Sequence, residues 1–269
     1  IFVGCGGKEI IDKSHFLGAV YGLEQLMGRD HSPVRKVFDY GEEHFLGDIP
    51  LQYILTVVAT GKDAPAGMPV STAVPRICGL YAGRERRLFE AAVRLSQAKN
   101  LCLLDAPLKK VVVYLDPEEF KSTWLGNKAI YRTRMAIADG GELLIIAPGL
   151  KHFGEDDLID ALIRKYGYAG TDKVLEWVRT KDDLRSSLSA AAHLIHGSSE
   201  GRFRITYAPG HISAAEIEQV HFNYAPLDDV LRRYDPRKLR DGFNTMPDGE
   251  QIFFVSNPAL GLWALRENF

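Results

Sequence analysis

Cysteine is scarce in this chain: three in 269 residues, at Cys5, Cys78 and Cys102. The number is odd, and no two stand at metal-ligand or redox spacing. That excludes a disulfide framework and points to a reducing compartment, so we expect a cytoplasmic protein. An excess of one charge is also lacking, with 33 Lys+Arg against 35 Asp+Glu and a net charge of -2. A general nucleic-acid binder carries a strong basic excess, so no nucleic-acid partner is expected. A small anionic ligand stays open, because it needs only a local positive site. No apolar run is long enough to span a membrane, and no stretch reads as a secretory signal. Two phosphate-binding fingerprints are missing as well. The glycine spacing near the start is not that of a P-loop, and no GxGxxG stands in a strand–turn–helix setting. The first residue is not methionine, and Ile1-Phe2-Val3 read as the end of a strand begun earlier. We expect the polypeptide to continue upstream.

What is present is ordinary globular material, 46% apolar and 25% charged, long enough for one large domain or two ordinary ones. Gly4-Cys5-Gly6-Gly7 reads as a loop leaving the first strand, and Ser14 as the cap of a helix through Met27. Pro33 suits the first turn of the next helix. "LQYILTVVA" is a strand candidate, Gly61 to Pro75 a loop, and Arg84 to Asn100 a helix. "KKVVVYLD", "ELLIIAPG", "RFRITYAPG" and "EQIFFVSN" read as apolar strands. Helices separate them, the first running to about Asp139 and stopped by Gly140-Gly141. In "EDDLIDALIRKYG" the acids come first and the bases last, as the helix dipole favours. Strands alternating with helices, and apolar throughout, predict a mostly parallel sheet covered on both faces. The fold expected is therefore two-domain α/β. Residues 1–106 are read as the remainder of a first α/β domain and 107–269 as a Rossmann-like second domain. Ligands of such domains bind beyond the carboxyl ends of the strands, here near Asp116, Gly149 and Gly210.

Several residues are chemical candidates. Gly6, Gly7 and Lys8 can bring backbone N–H groups and an amine to an oxyanion, or can form a plain turn with a solvated lysine. His15, read as lying near a helix start, is a candidate metal ligand or a structural hydrogen-bonder. His193 and His196 stand at i, i+3, a spacing able to hold a metal. Lys128, early in the helix after "VVVYLD", is placed to bind a carboxylate or phosphate together with first-turn backbone. Arg132 and Arg134 follow it, as ligand groups or as a solvated face. Trp124, Trp177 and Trp263 fit a core as well as a ligand platform.

The order of "GCGGKE", "SPVRKVFDYG", "YILTVV", "GNK" and "ADGGELLIIAPG" resembles the nickel-pincer-dependent lactate racemase family over nearly the whole chain. The match is to the later part of that family's N-terminal domain followed by its C-terminal domain. The resemblance implies a pyridinium-3,5-bisthiocarboxylic acid mononucleotide holding nickel as cofactor. It implies that Lys8, after Gly6-Gly7, is the covalent tether, that His15 is a nickel ligand, and that Lys128 helps hold the substrate. The implied activity is racemisation or epimerisation at C2 of a 2-hydroxy acid, lactate or a larger one such as a sugar acid. Hydride and proton leave C2 and its hydroxyl, and a planar 2-keto acid takes hydride back on either face. The family's two catalytic histidines lie upstream of the Gly-Gly-Lys turn, so they are expected before Ile1. A non-catalytic nucleotide- or carboxylate-binding module of the same fold is the alternative. A nicotinamide dehydrogenase ranks below both.

Overall fold

Buried strands must be apolar at successive positions, because both faces of the pleat are covered. In the computed structural model, which describes residues 6–60 and 75–269, the apolar runs become the middle of a six-stranded sheet. Its strands are β4 (Leu108–Tyr114), β5 (Ile137–Ala147), β6 (Arg204–Pro209), β7 (Asn223–Tyr224), β8 (Gly242–Thr245) and β9 (Gln251–Val255). Their order is β7-β6-β5-β4-β9-β8, parallel except for the antiparallel edge strand β8. Val111 and Val113 enter one core with Leu143, Ile145 and Tyr207, while Val112 enters a second with Leu144, Ile146 and Phe254.

Helices cover the first face: α4 (Thr123–Gly126), α5 (Lys128–Thr133), α6 (Asp157–Tyr166), α7 (Thr171–Thr180), α8 (Asp182–Arg185), α9 (Leu188–His196) and α10 (Ala214–Gln219). The second face is covered by α11 (Leu227–Arg233), through Val230, and by Tyr234 and Met246 beyond it. The α/β class expected from the sequence is the one observed. The acids-first helix is α6, capped by Asp156, whose side chain accepts from the Ile159 N–H.

Before this sheet the described chain holds α1 (Gly7–Tyr21), α2 (Pro33–Phe45), an antiparallel pair β1 (Tyr53–Thr60) and β2 (Pro75–Gly83), and α3 (Arg86–Asn100). Ser32 caps α2, with Pro33 in its first turn as expected. Helix α3 backs the β1–β2 pair, whose other face leaves Ile54, Ile77 and Leu80 exposed. Helix α1 lies against α9, and its Ala19 is part of the first core. A short parallel pair, β3 (Leu101–Leu104) with β10 (Leu262–Leu265), joins the middle of the chain to its far end.

Three expectations are corrected. Ser14 is not a cap: α1 begins a full two turns earlier, and the Ser14 hydroxyl bonds back to the Ile11 carbonyl. His15 accordingly sits in the second half of that helix. Gly140-Gly141 do not end a helix but form a bulge inside β5, with Gly140 at φ 74°. The bulge is stitched by Arg202, whose carbonyl accepts from Gly140 N–H and whose guanidinium reaches Ile137 O and Asp139. Strands β2, β3, β7, β8 and β10 were not anticipated. The readings made for Ile1 to Cys5, and for the loop from Gly61 on, lie outside the described residues, which resume at Pro75.

The carboxyl ends of β4, β5 and β6 are packed backbone to backbone. A Cβ on Gly149 would stand 2.6 Å from Pro117 Cα, and one on Gly210 2.0 Å from the Pro148 carbonyl oxygen. Neither neighbour is a flexible side chain, so the strand-end loops would have to separate. Gly210→Ala is therefore expected to lose about 3 kcal/mol of stability by chemical denaturation. A loss under about 0.5 kcal/mol would contradict this packing.

Candidate functional site

Helix α1 presents two of the sequence candidates together. Gly6 precedes it and Gly7, at φ 73°, opens it, a backbone that glycine adopts without strain. Lys8 then lies in the first turn, its side chain 68% exposed and ion-paired with Asp12 one turn on. His15 follows Lys8 by seven positions. At 3.6 residues per turn these side chains share a face, about 10 Å apart along the axis. The His15 Nδ1 is 2.7 Å from the Ile11 carbonyl oxygen. A carbonyl only accepts, so Nδ1 carries the proton and the Nε2 lone pair is left outward. That is the tautomer a metal ligand needs, oriented by a backbone carbonyl.

The inner side of α1 faces α9. His196, at the end of α9, lies near His15, and its Nε2 is buried without a protein partner. Burial, with Arg134 nearby, holds His196 down at about 4. Arg134 is itself buried. Its Nε lies 2.7 Å from Glu24 Oε1, an ion pair whose N–H is not aimed at the oxygen.

One turn back on α9, His193 enters a buried polar chain. Its Nε2 is 2.9 Å from the Tyr168 hydroxyl, which is 2.8 Å from Thr123 Oγ1. Thr123 donates its one proton to the Phe153 carbonyl. Tyr168 therefore donates to Thr123, and His193 Nε2–H donates to Tyr168. Asn127 Nδ2 stands 3.4 Å from the same ring nitrogen, and Asn127 Oδ1 accepts from the Tyr207 hydroxyl at 2.7 Å. Burial, with the nearby His196, holds His193 down at about 3, and burial pushes the Tyr168 phenol well up. Both groups are neutral at ordinary pH. With His193 Nε2 given to Tyr168, the i, i+3 pair does not offer two nitrogens to one ion.

Lys128 follows Asn127 directly and opens α5, on the carboxyl side of β4. It is half-buried, with Nζ 5.6 Å from the centre of the fully buried Phe120 ring. No carboxylate among the described residues pairs with it. A cation held over an aromatic ring at this edge can take an oxyanion. Helix α9 thus neighbours both His15 and the Asn127–Lys128 turn, with His196 near His15 and His193 beside Asn127. The Trp124 ring packs at a tilt against His193 at 4.7 Å, and Trp177 does the same against Tyr166 at 5.0 Å, so both serve packing. The Trp263 ring lies against Gly261. Among the described residues, the His/Cys/Asp/Glu group close enough for a metal is Asp30, His31 and Glu90. There Arg86 already pairs with Glu90 and donates to the Asp30 carbonyl.

Two solved structures share this arrangement of elements. A Thermotoga maritima protein solved by a structural-genomics consortium superposes with a TM-score of 0.71 at 22% identity, covering 96% of this chain and 60% of its own. The lactate racemase apoprotein of Thermoanaerobacterium thermosaccharolyticum superposes with a TM-score of 0.63 at 10% identity, covering 94% of this chain and 55% of its own. At these identities the likeness is one of fold. The chain spans 60% or less of the length of either structure. No protein-family model matches it, and neither does any curated protein sequence.

The histidine environment predicts an acid sensitivity. His193 has a folded value of about 3 against an unfolded value of about 6.5. Between the two, the unfolded chain binds a proton that the folded chain refuses, so stability falls as pH falls. His196, held at about 4, adds a loss of the same sign in this range, and Asp183 and Glu216, both held near 2 by bonded cations and hydroxyls, add theirs from about pH 5 downward. From pH 6 to 4.5, His193 should contribute up to about 1.4 kcal/mol per pH unit. Urea denaturation of His193→Gln should show a correspondingly shallower slope in that window, and an equal slope would contradict the assignment. Tyr207→Phe removes the donor to Asn127 and should cost about 1–3 kcal/mol.

Proposed function

We propose that this chain is part of a 2-hydroxy-acid racemase or epimerase that works with a tethered nickel-pincer nucleotide. The observation that carries the reading is the placement of Lys8 and His15 on one accessible face of α1, in a fold shared with a lactate racemase apoprotein. The donor chemistry fits the group. Lys8 has an exposed amine for a covalent tether, behind a Gly6-Gly7 turn that lets backbone approach closely. His15 has a free Nε2 for nickel, set by the Ile11 carbonyl. When bound, the group supplies the hydride acceptor.

The chain's own residues then bind and orient. Lys128 pairs with the substrate carboxylate, held on the Phe120 ring where water has limited access. The strand-end loops around Gly149 and Gly210 give the edge a fixed shape. His193 and His196, neutral and buried, act as packing and positioning groups behind α1 and α5 and not as the bases at C2.

The test uses the full-length protein produced with the enzymes that make the cofactor. Optical inversion is followed on a panel of enantiopure 2-hydroxy acids, alongside intact mass and nickel content. Added mass that disappears in Lys8→Ala, and nickel that falls in His15→Ala while the added mass stays, are the expected results. Lys128→Ala should raise KM about tenfold or more, the loss of one charge-assisted pair. An unmodified Lys8 in active preparations, or no inversion and no nickel across the panel, would overturn the reading.

A further inference from the structure

Away from Lys8, His15 and Lys128, two cavities run together between α3 and the segment from Ala259 to Phe269. The first, of about 500 Å³, is walled largely by apolar groups such as Met27, Val58, Val93 and Leu262. The second, of about 940 Å³, is more polar and open. Arg29, Gln97 and Leu101 line both, so the two form one continuous groove.

Its charge is unlike that of the chain as a whole. Arg132 lines the first section, Arg94 the second, and Arg29 their junction. Asp30 is the one carboxylate side chain among the lining residues, and it is bonded to its neighbour His31. Arg29 gives one N–H to the Asn268 carbonyl and lies over the Phe269 ring, which leaves further donors on its guanidinium. Arg94 has no ion-pair partner among the described residues. Arg132 donates from Nη1 to the Gly261 carbonyl at 3.3 Å, but no protein acceptor reaches its buried Nε. Its guanidinium keeps further N–H donors beyond the one given to Gly261.

We propose that this groove binds a small amphiphilic oxyanion. Its phosphate or carboxylate head lies at the junction among Arg29, Arg94 and Arg132, and its apolar body fills the first section. The size matches small-molecule sites, which are mostly apolar with a few placed polar groups. Guanidinium forks suit either head, and the groove has no second acid to repel one.

Calorimetric titration of the full-length protein tests this with phenyl phosphate and 3-phenylpropionate. Inorganic phosphate and benzyl alcohol serve as the head-only and body-only probes. At least one of the two amphiphiles should bind saturably, at least about tenfold more tightly than either partial probe. The tighter of the two identifies the head. Arg29→Gln and Arg132→Gln should each weaken binding about tenfold. Arg94→Gln, on an exposed side chain, should weaken it as well, and serves if Arg132→Gln fails to fold. Raising salt should also weaken binding. No saturable binding of either amphiphile up to about 10 mM would overturn the proposal. So would full-strength binding in the arginine variants that fold, or benzyl alcohol or phosphate alone binding as well as the amphiphiles. None of these results depends on whether Lys8 carries a cofactor.

Discussion

Polar groups sealed away from water must find partners inside the protein, and in this molecule that requirement converges on Asn127. Its side-chain oxygen is held by Tyr207 from β6, and its amide stands beside His193 of α9. From His193 Nε2–H a second chain of donors runs through Tyr168 and Thr123 and ends on the Phe153 carbonyl. Each member lies on a different element. The sheet, the turn between α4 and α5, and α9 are thereby fixed to one another by directional bonds as well as by apolar contact. In a low-dielectric interior such bonds are strong when complete and expensive when one is removed.

That fixed block is what α1 rests upon. Asp12, Ser14, Gly18 and Ala19 of α1 are buried, while Lys8 and His15 stay exposed beside them. The same asparagine sets the start of α5 and so the position of Lys128. The candidate groups come from distant parts of the sequence, yet one rigid support holds both. The racemase proposed above would draw on this rigidity, because a C2 centre inverted between opposed groups tolerates little drift in its carboxylate anchor.

The sheet was legible in the sequence because buried parallel strands leave an unbroken apolar record, as in "KKVVVY" and "QIFFV". The amphipathic helix α6 was legible from its charges and period. The four-residue strands β3 and β10 were not, since so short a run is defined by its partner and not by its own composition. Gly140-Gly141 misled for a physical reason: glycine at positive φ marks a helix stop and a strand bulge alike, and only Arg202, far along the chain, decides between them. Ser14 misled because a mid-helix serine can satisfy itself on the preceding turn. The candidate residues Lys8, His15 and Lys128 were found by motif order. The network behind them was not, because Thr123, Asn127, Tyr168, His193 and Tyr207 follow no spacing rule and meet only in three dimensions. Arg29, Arg94 and Arg132 likewise look like scattered surface charge until the fold brings them to one groove.

The β3–β10 pair has a kinetic meaning. Its two strands are separated in sequence by the entire six-stranded sheet and its helices. Among the strand pairs of the described chain this one closes the longest loop, and the entropy of that closure must be met before its few hydrogen bonds return anything. The large sheet is thus expected to assemble first and this ribbon to zip last, latching the N-terminal elements onto a finished scaffold. The groove that Leu101 and Leu262 line on either side of that ribbon then comes into being only at the final step of folding. A ligand held there would act on the latch rather than on the sheet.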